Sequence, residues 1–231
     1  MLFRSRTSSA QEWTEYASRA DRFTANFPGQ PTVTDTTSTS EYGANLPTRV
    51  YSAMSGPSRF LVTAVDYSAV ERILTARAKA CPAGAETCAG IADTGLGYWK
   101  NDVRGAVLHA TWKLMQRPGV KVTHMVWNFM DMVAGHQLQL TNSDGSRTFA
   151  SVYMHENRLI TMEGTVPPGY PEPGLFQQSL GWLDENGDGI RYEQVYYNDP
   201  VLPKPAIRRR TPLQRDDGRI SAPGVAGGQG R

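Results

Sequence analysis

The run HQLQLTNSDGSRTFASVYMHENRLITMEGTV, residues 136–166, decides the fold. Leu138 and Leu140 alternate with Gln137 and Gln139, the period of two that gives a strand one buried face. Thr141, Asn142, Ser143, Asp144, Gly145 and Ser146 are loop formers that predict a hairpin into an extended segment at 148–154. Glu156 and Asn157 then turn the chain into a second extended segment at 158–166. Three adjacent antiparallel strands follow. Just upstream, residues 122–130 predict a further apolar strand, with Gly135 as the turn between it and 136–140.

The N-terminal half extends the same pattern. Phe23, Ala25 and Phe27 alternate with Arg22, Thr24 and Asn26 before Pro28 and Gly29 stop the run, which predicts a half-buried strand and turn. Residues 32–39 are rich in Thr and Ser, as suits a solvent-facing edge strand, and 49–54 resume an extended pattern after Gly43. Residues 55–58 turn the chain. The β-branched, apolar run 60–67 predicts a central strand.

Two helices interrupt the strands. Ser68 and Glu71 have capping-box spacing, followed by Val70, Ile73, Leu74 and Ala78 at helical intervals. A second helix is predicted within 98–116, where Trp99, Val103, Val107, Ala110 and Leu114 recur before Arg117, Pro118 and Gly119 stop it. Residues 110–116 read equally as a strand. After the rigid 167–173 connection, Leu175, Phe176, Ser179, Leu180 and Leu183 predict a short amphipathic helix, and 190–197 a final extended piece. The fold class is therefore α+β, an antiparallel sheet with helices packed on it.

The chain has 231 residues, 39% of them hydrophobic, with 22 Gly and 15 Pro, which fits one turn-rich globular domain. The expected division is a short leader remnant at 1–10, a single domain at 11–199, and a disordered, basic, Pro- and Gly-rich tail at 200–231. No apolar run reaches the roughly 18 residues of a membrane span. The formal net charge is +2, but residues 201–231 carry seven Lys or Arg against Asp216 and Asp217, so the body is slightly acidic. That distribution gives no broad nucleic-acid footprint. Arg208, Arg209 and Arg210 are candidates for contact with an anionic surface or an acidic partner; the alternative is a merely solvated tail.

Cys81 and Cys88 are the chain's two cysteines. Their spacing suits neither a redox pair nor a zinc knuckle. A local disulfide is the better reading, closing an eight-residue loop for about 2.5 kcal/mol in the chain-entropy model; unpaired reduced thiols are the alternative. Disulfides persist in oxidising compartments. Ser8, Ser9 and Ala10 have the spacing of a signal-peptidase site, though no apolar segment precedes them. Together these favour a periplasmic or secreted protein whose leader begins upstream of Met1, with a cytoplasmic location as the alternative.

Motifs for known chemistry fail on their spacing. His155 and Glu156 begin a zincin motif, but Leu159 stands where the second ligand belongs. Neither a nucleophile elbow nor a phosphate-binding glycine loop appears. Asp184, Asn186 and Asp188 with Gly189 match early positions of a calcium loop, yet Val195 occupies the bidentate Glu position and Glu193 falls two residues early. A hairpin turn is the preferred reading there. No cofactor is implied. Tyr98, Trp99, Trp112 and Trp127 are either core aromatics, the favoured reading, or the wall of a binding groove. His124, Asp131 and His136 are the weak candidates for an enzyme site assembled from distant residues.

Certain phrases carry a resemblance. DRFTANFPG at 21–29, ENRLITM at 156–162 and LFQQSL at 175–180 resemble the first strand, last long strand and closing helix of PsbP-like domains, and of uncharacterised exported bacterial proteins of alphaproteobacterial type. The resemblance covers about residues 21–183 and rests on strand-and-turn phrases. It implies an antiparallel sheet backed by helices, in a family used mainly for binding and assembly. The cysteine loop and the segment after 183 depart from that pattern, and no functional residue carries over. The function expected is a non-catalytic binding or assembly factor of the cell envelope, acting on an envelope protein or a small ligand.

Overall fold

The computed structural model describes residues 13–82, 87–88, 91–92 and 97–209. In chain order its elements are β1 (Trp13–Ser18), β2 (Phe23–Pro28), β3 (Thr32–Thr39), β4 (Asn45–Ser55), β5 (Ser58–Asp66), α1 (Val70–Lys79), β6 (Thr87–Cys88), β7 (Ile91–Ala92), α2 (Trp99–Met115), β8 (Lys121–Met130), β9 (Val133–Thr141), β10 (Arg147–His155), β11 (Arg158–Val166), α3 (Gly174–Gln177), β12 (Gly181–Leu183), β13 (Gly189–Tyr192) and β14 (Ile207–Arg209). The chain is mostly antiparallel sheet with few helices. Among the described residues, no helix is long and apolar enough to cross a membrane.

Seven strands form the larger sheet in the order β3-β4-β5-β11-β10-β9-β8, and five form a smaller one in the order β1-β2-β12-β13-β14. The sequence predicts one sheet covered by helices. Helices α1 and α2 do cover one face of the larger sheet, but the smaller sheet covers the other. Alternation along β10 and β11 explains why both faces need cover. Ala150, Val152, Met154 and Leu159 join Val70, Leu74, Val103 and Leu114 in a helix-side core. Tyr153, Ile160 and Met162 join Phe23, Phe27, Phe176 and Trp182 in a sheet-side core. Each large side chain so buried contributes about 1.5–3 kcal/mol.

Several local expectations change. Ser68 does not cap α1: its N–H donates to Asp66 Oδ1 at 2.8 Å and its hydroxyl accepts from Arg158 Nη1 at 2.6 Å, while Ala69 takes the cap position without a side-chain bond. Residues 110–115 are helical. The predicted helix at 175–183 is a single turn followed by β12, because Gly181 and Trp182 pair with Thr24 and Phe23 of β2.

The β8–β9 turn is made by Asp131 and Met132, at φ +48° and +70°, rather than by Gly135. Gly135 lies in β9, where a Cβ would fall 2.2 Å from both Tyr153 Cδ1 and the Val152 carbonyl oxygen. A buried tyrosine pressed on the strand, not a turn, is what that glycine accommodates.

The folded body also runs past the predicted boundary at 199. Residues 207–209 add β14 to the smaller sheet, pairing Ile207 with Tyr192 and Arg209 with Ile190. Lys204 Nζ reaches Glu156 Oε1 at 2.8 Å and Arg208 Nε reaches Glu193 Oε1 at 2.8 Å. Backbone pairing and acidic partners on the body anchor a segment that composition alone marks as loose. Arg210 and the rest of the tail, and the leader at 1–10, lie outside the described residues.

Candidate binding groove

Helix α2 crosses the larger sheet over β9 and β10 but stops short of the edge strand β8. Its apolar stripe, Trp99, Val103, Val107, Ala110 and Leu114, packs on the helix-side core as its spacing predicts. Leu108 and Trp112 lie off that stripe, one helical turn apart, and are 64% and 54% exposed. On β8 the helix-side face carries Met125, Trp127 and Phe129, all exposed.

Between helix and edge strand runs a groove of about 540 Å³. Val103, Val107 and Leu108 form one wall, Met125 and Trp127 the other, and Ala134, His136 and Met154 the floor; Tyr197, Asn198 and Leu202 close one end. That size and mostly apolar lining suit a small ligand or a few anchoring side chains.

The polar groups around the groove are already engaged. His136 is buried, with Nδ1 2.9 Å from Thr111 Oγ1 on α2, and burial holds its pKa below the ordinary imidazole value. Trp127 sits opposite it in the β8–β9 ladder and covers it edge-on. Arg104 grips Asp199 through two hydrogen bonds, Nε to Oδ2 at 2.9 Å and Nη2 to Oδ1 at 3.1 Å, which fastens the 197–202 strap to α2. This contact holds the Asp199 carboxyl below the usual range.

A second, polar cavity of about 370 Å³ shares Val103, Tyr197, Asn198, Asp199 and Leu202 with the groove. Glu156 lies in it at φ +46°, bonded to Arg22 and Lys204. Burial works to raise the Glu156 pKa, but Lys204, His155 and Arg22 outweigh it and hold the group ionised below its ordinary value. The neighbouring His155 is enclosed by Trp182, Tyr192 and Tyr196 and bonded through Nε2 to Tyr192 Oη at 2.9 Å. Burial pushes its pKa down to about 3.

The predicted site residues are dispersed. Trp127 walls the groove, whereas Trp112 is exposed further along α2, beside His109. The core expectation thus fails for both. Tyr98 precedes α2, its ring 6.3 Å from that of Tyr42, and Trp99 packs against the helix-side core and lines the polar cavity. Of the enzyme candidates, only His136 lies in the groove. His124 is exposed three ladder rows away opposite Gln139, and Asp131 lies in the turn at the far end of β8. The ladder does not bring the three together.

Asp184, Asn186 and Asp188 form the β12–β13 hairpin turn. Asp184 Oδ1 accepts from the Asn186 and Asp188 N–H groups, each at 2.9 Å, and Arg209 approaches Asp188 at 3.3 Å and Asp184 at 3.8 Å. The carboxylates therefore serve the turn and β14. Arg209 faces these acidic groups and Arg208 faces Glu193, so the two do not form an open basic cluster. Cys81 follows α1 and is not a free thiol; the Cys88 side chain lies outside the described residues.

Sequence reading missed Val107, Leu108, Met125 and Leu202 as groove residues. The signal for Leu108 is present in the sequence: a large apolar residue off the helical stripe points away from the core.

No family model matches the chain, and no curated protein matches it. Among solved structures, it is similar to the solution structure of cyanobacterial PsbP (CyanoP) from Synechocystis sp. PCC 6803, at 12% identity and a TM-score of 0.35, over 72% of this chain and 86% of that one.

Proposed function

We propose that this protein is a non-catalytic binding or assembly factor of the cell envelope, exported to an oxidising compartment, and that it holds an apolar group in the α2–β8 groove. The observation carrying this reading is the juxtaposition of exposed Leu108 and Trp127 across a groove whose floor includes buried His136 and Met154. Large apolar side chains held at the surface around a cavity mark interaction sites. The groove carboxylate Asp199 is committed to Arg104 and the His136 Nδ1 to Thr111, which leaves them positional roles. The PsbP-like assignment read from residues 21–29, 156–162 and 175–180, and the periplasmic or secreted location, belong to the same proposal.

The test is a fluorescence titration of the full chain with anilinonaphthalene sulfonate as the apolar probe. Saturable binding that Leu108→Asp weakens at least tenfold, with the melting temperature retained, supports the reading. Absence of saturable binding, or affinity unchanged in Leu108→Asp, overturns it.

A further inference from the structure

The outer edge of β8 has a geometry of its own. In a hairpin closed by a two-residue turn with positive φ at both positions, the flanking residues, here Met130 and Val133, form a hydrogen-bonded pair. Such pairs alternate along an antiparallel ladder. The N–H and C=O groups of Met125, Trp127 and Phe129 therefore point away from β9, on the last strand of the larger sheet. A register shift falls between Val122 and His124, so the ladder is regular over residues 124–130.

The two edges of this sheet are chemically unlike. Edge strand β3 reads TVTDTTST, polar and exposed nearly throughout. Edge strand β8 reads KVTHMVWNFM, with no proline or acidic residue and its one lysine at the start. Met125, Val126, Trp127 and Phe129 are 39%, 37%, 69% and 46% exposed. Edges left open to water are ordinarily blunted by charge, proline or shortness. Over its regular part β8 has none of these.

We infer that this edge pairs with the same edge of a second copy, antiparallel, about a two-fold axis through Trp127. In that register Trp127 opposes the second copy's Trp127, while Met125 and Phe129 oppose the second copy's Phe129 and Met125. All three outward-pointing residues become hydrogen-bonded pairs, and their side chains stay on the helix side, where methionine sulfur meets an aromatic ring. Over residues 124–130 the edge is self-complementary in this register, methionine against an aromatic ring and no charge against a like charge, which is what pairing with a second copy requires.

The area fits a reversible association. The exposed parts of Met125, Val126, Trp127 and Phe129 come to about 400 Å² per copy, taking ~150–250 Å² for a large ring. Strand backbone adds to this, against ~800 Å² per partner in a standard-size interface. Pairing makes the larger sheets continuous and sets the two grooves on either side of the axis.

Analytical ultracentrifugation of the full chain over a concentration series tests the inference. The expected result is a reversible monomer–dimer equilibrium. Trp127→Lys, which places like charges on the axis, and Met125→Pro, which removes an outward N–H that β9 does not use, should each leave a folded monomer. Thr34→Lys on β3 should leave the equilibrium unchanged. Hydrogen exchange on the unaltered chain supplies a readout independent of the variants: the Met125, Trp127 and Phe129 amides should gain protection as the dimer forms. A chain monomeric throughout the series, a dimer that persists in folded Met125→Pro, or a dimer whose three amides exchange freely overturns the inference. So does a monomer whose β8 edge takes up only a foreign extended peptide.

Discussion

The Trp127 indole stands edge-on to the His136 imidazole, ring centroids 5.0 Å apart and planes at 80°. Trp127 is 69% exposed and His136 only 5%. A large ring is thus held at the surface by a buried one, itself tethered to α2 through Thr111. Trp127→Ala should admit water to His136 and relieve the burial that lowers its pKa. The imidazole should then titrate closer to about 6.5, a shift readable by NMR; an unchanged titration would separate the two rings functionally.

Asp21 joins the two sheets. Its carboxylate, 2% exposed, accepts from Arg49 Nε at 2.7 Å and Nη2 at 2.5 Å and from the Tyr51 hydroxyl, linking the β1–β2 turn to β4. Because Arg49 is partly solvated, its contribution is discounted. Asp21→Asn should cost on the order of 2 kcal/mol in denaturant unfolding, and a change below a few tenths would contradict the role.

His155 sets an acid limit. Its folded pKa of about 3 lies below the roughly 6.5 of an unfolded histidine, so the unfolded chain binds the extra proton first as pH falls. Its contribution is intact above pH ~6.5 and is lost progressively down to about 3. Replacing it with the similarly planar His155→Phe should flatten the stability profile across that window, as followed by chemical denaturation at stepped pH.

Gly135→Ala should destabilise by about 3 kcal/mol or more, since neither the Tyr153 ring nor the Val152 carbonyl can retreat 1 Å without cost. Thermal melting checks this. Near-native melting would mean that β9 and β10 separate more readily than their packing implies.

For the cysteines, alkylation without prior reduction should leave Cys81 and Cys88 unmodified in the intact mass. Two added labels would remove the disulfide and with it one argument for export.

Much of the larger sheet is legible in the sequence because period-two alternation and turn residues are local signals: residues 32–39 are read as an edge strand and are β3. The smaller sheet is legible only in part: residues 22–27 are read as the strand that is β2, and 190–197 as an extended piece that overlaps β13. Strands such as β12 and β14 are three residues long, too short to show a period, and owe their form to partners far away, as Gly181 does to Thr24. The same limit applies to the groove. Alternation at Met125, Trp127 and Phe129 marks one face of a strand, but nothing local says that the strand lies at an edge beyond the reach of α2. For that reason Trp127 reads as core from sequence and stands exposed in the fold.

The most direct measurement of the docking face is an amide chemical-shift map of the full chain titrated with the apolar probe. Saturable shifts are expected to cluster at Val107, Leu108, Met125, Trp127, His136 and Leu202, with β3 and the β12–β13 turn unmoved. Shifts centred on the polar Glu156 cavity or scattered over the surface, with the groove silent, would contradict the proposal.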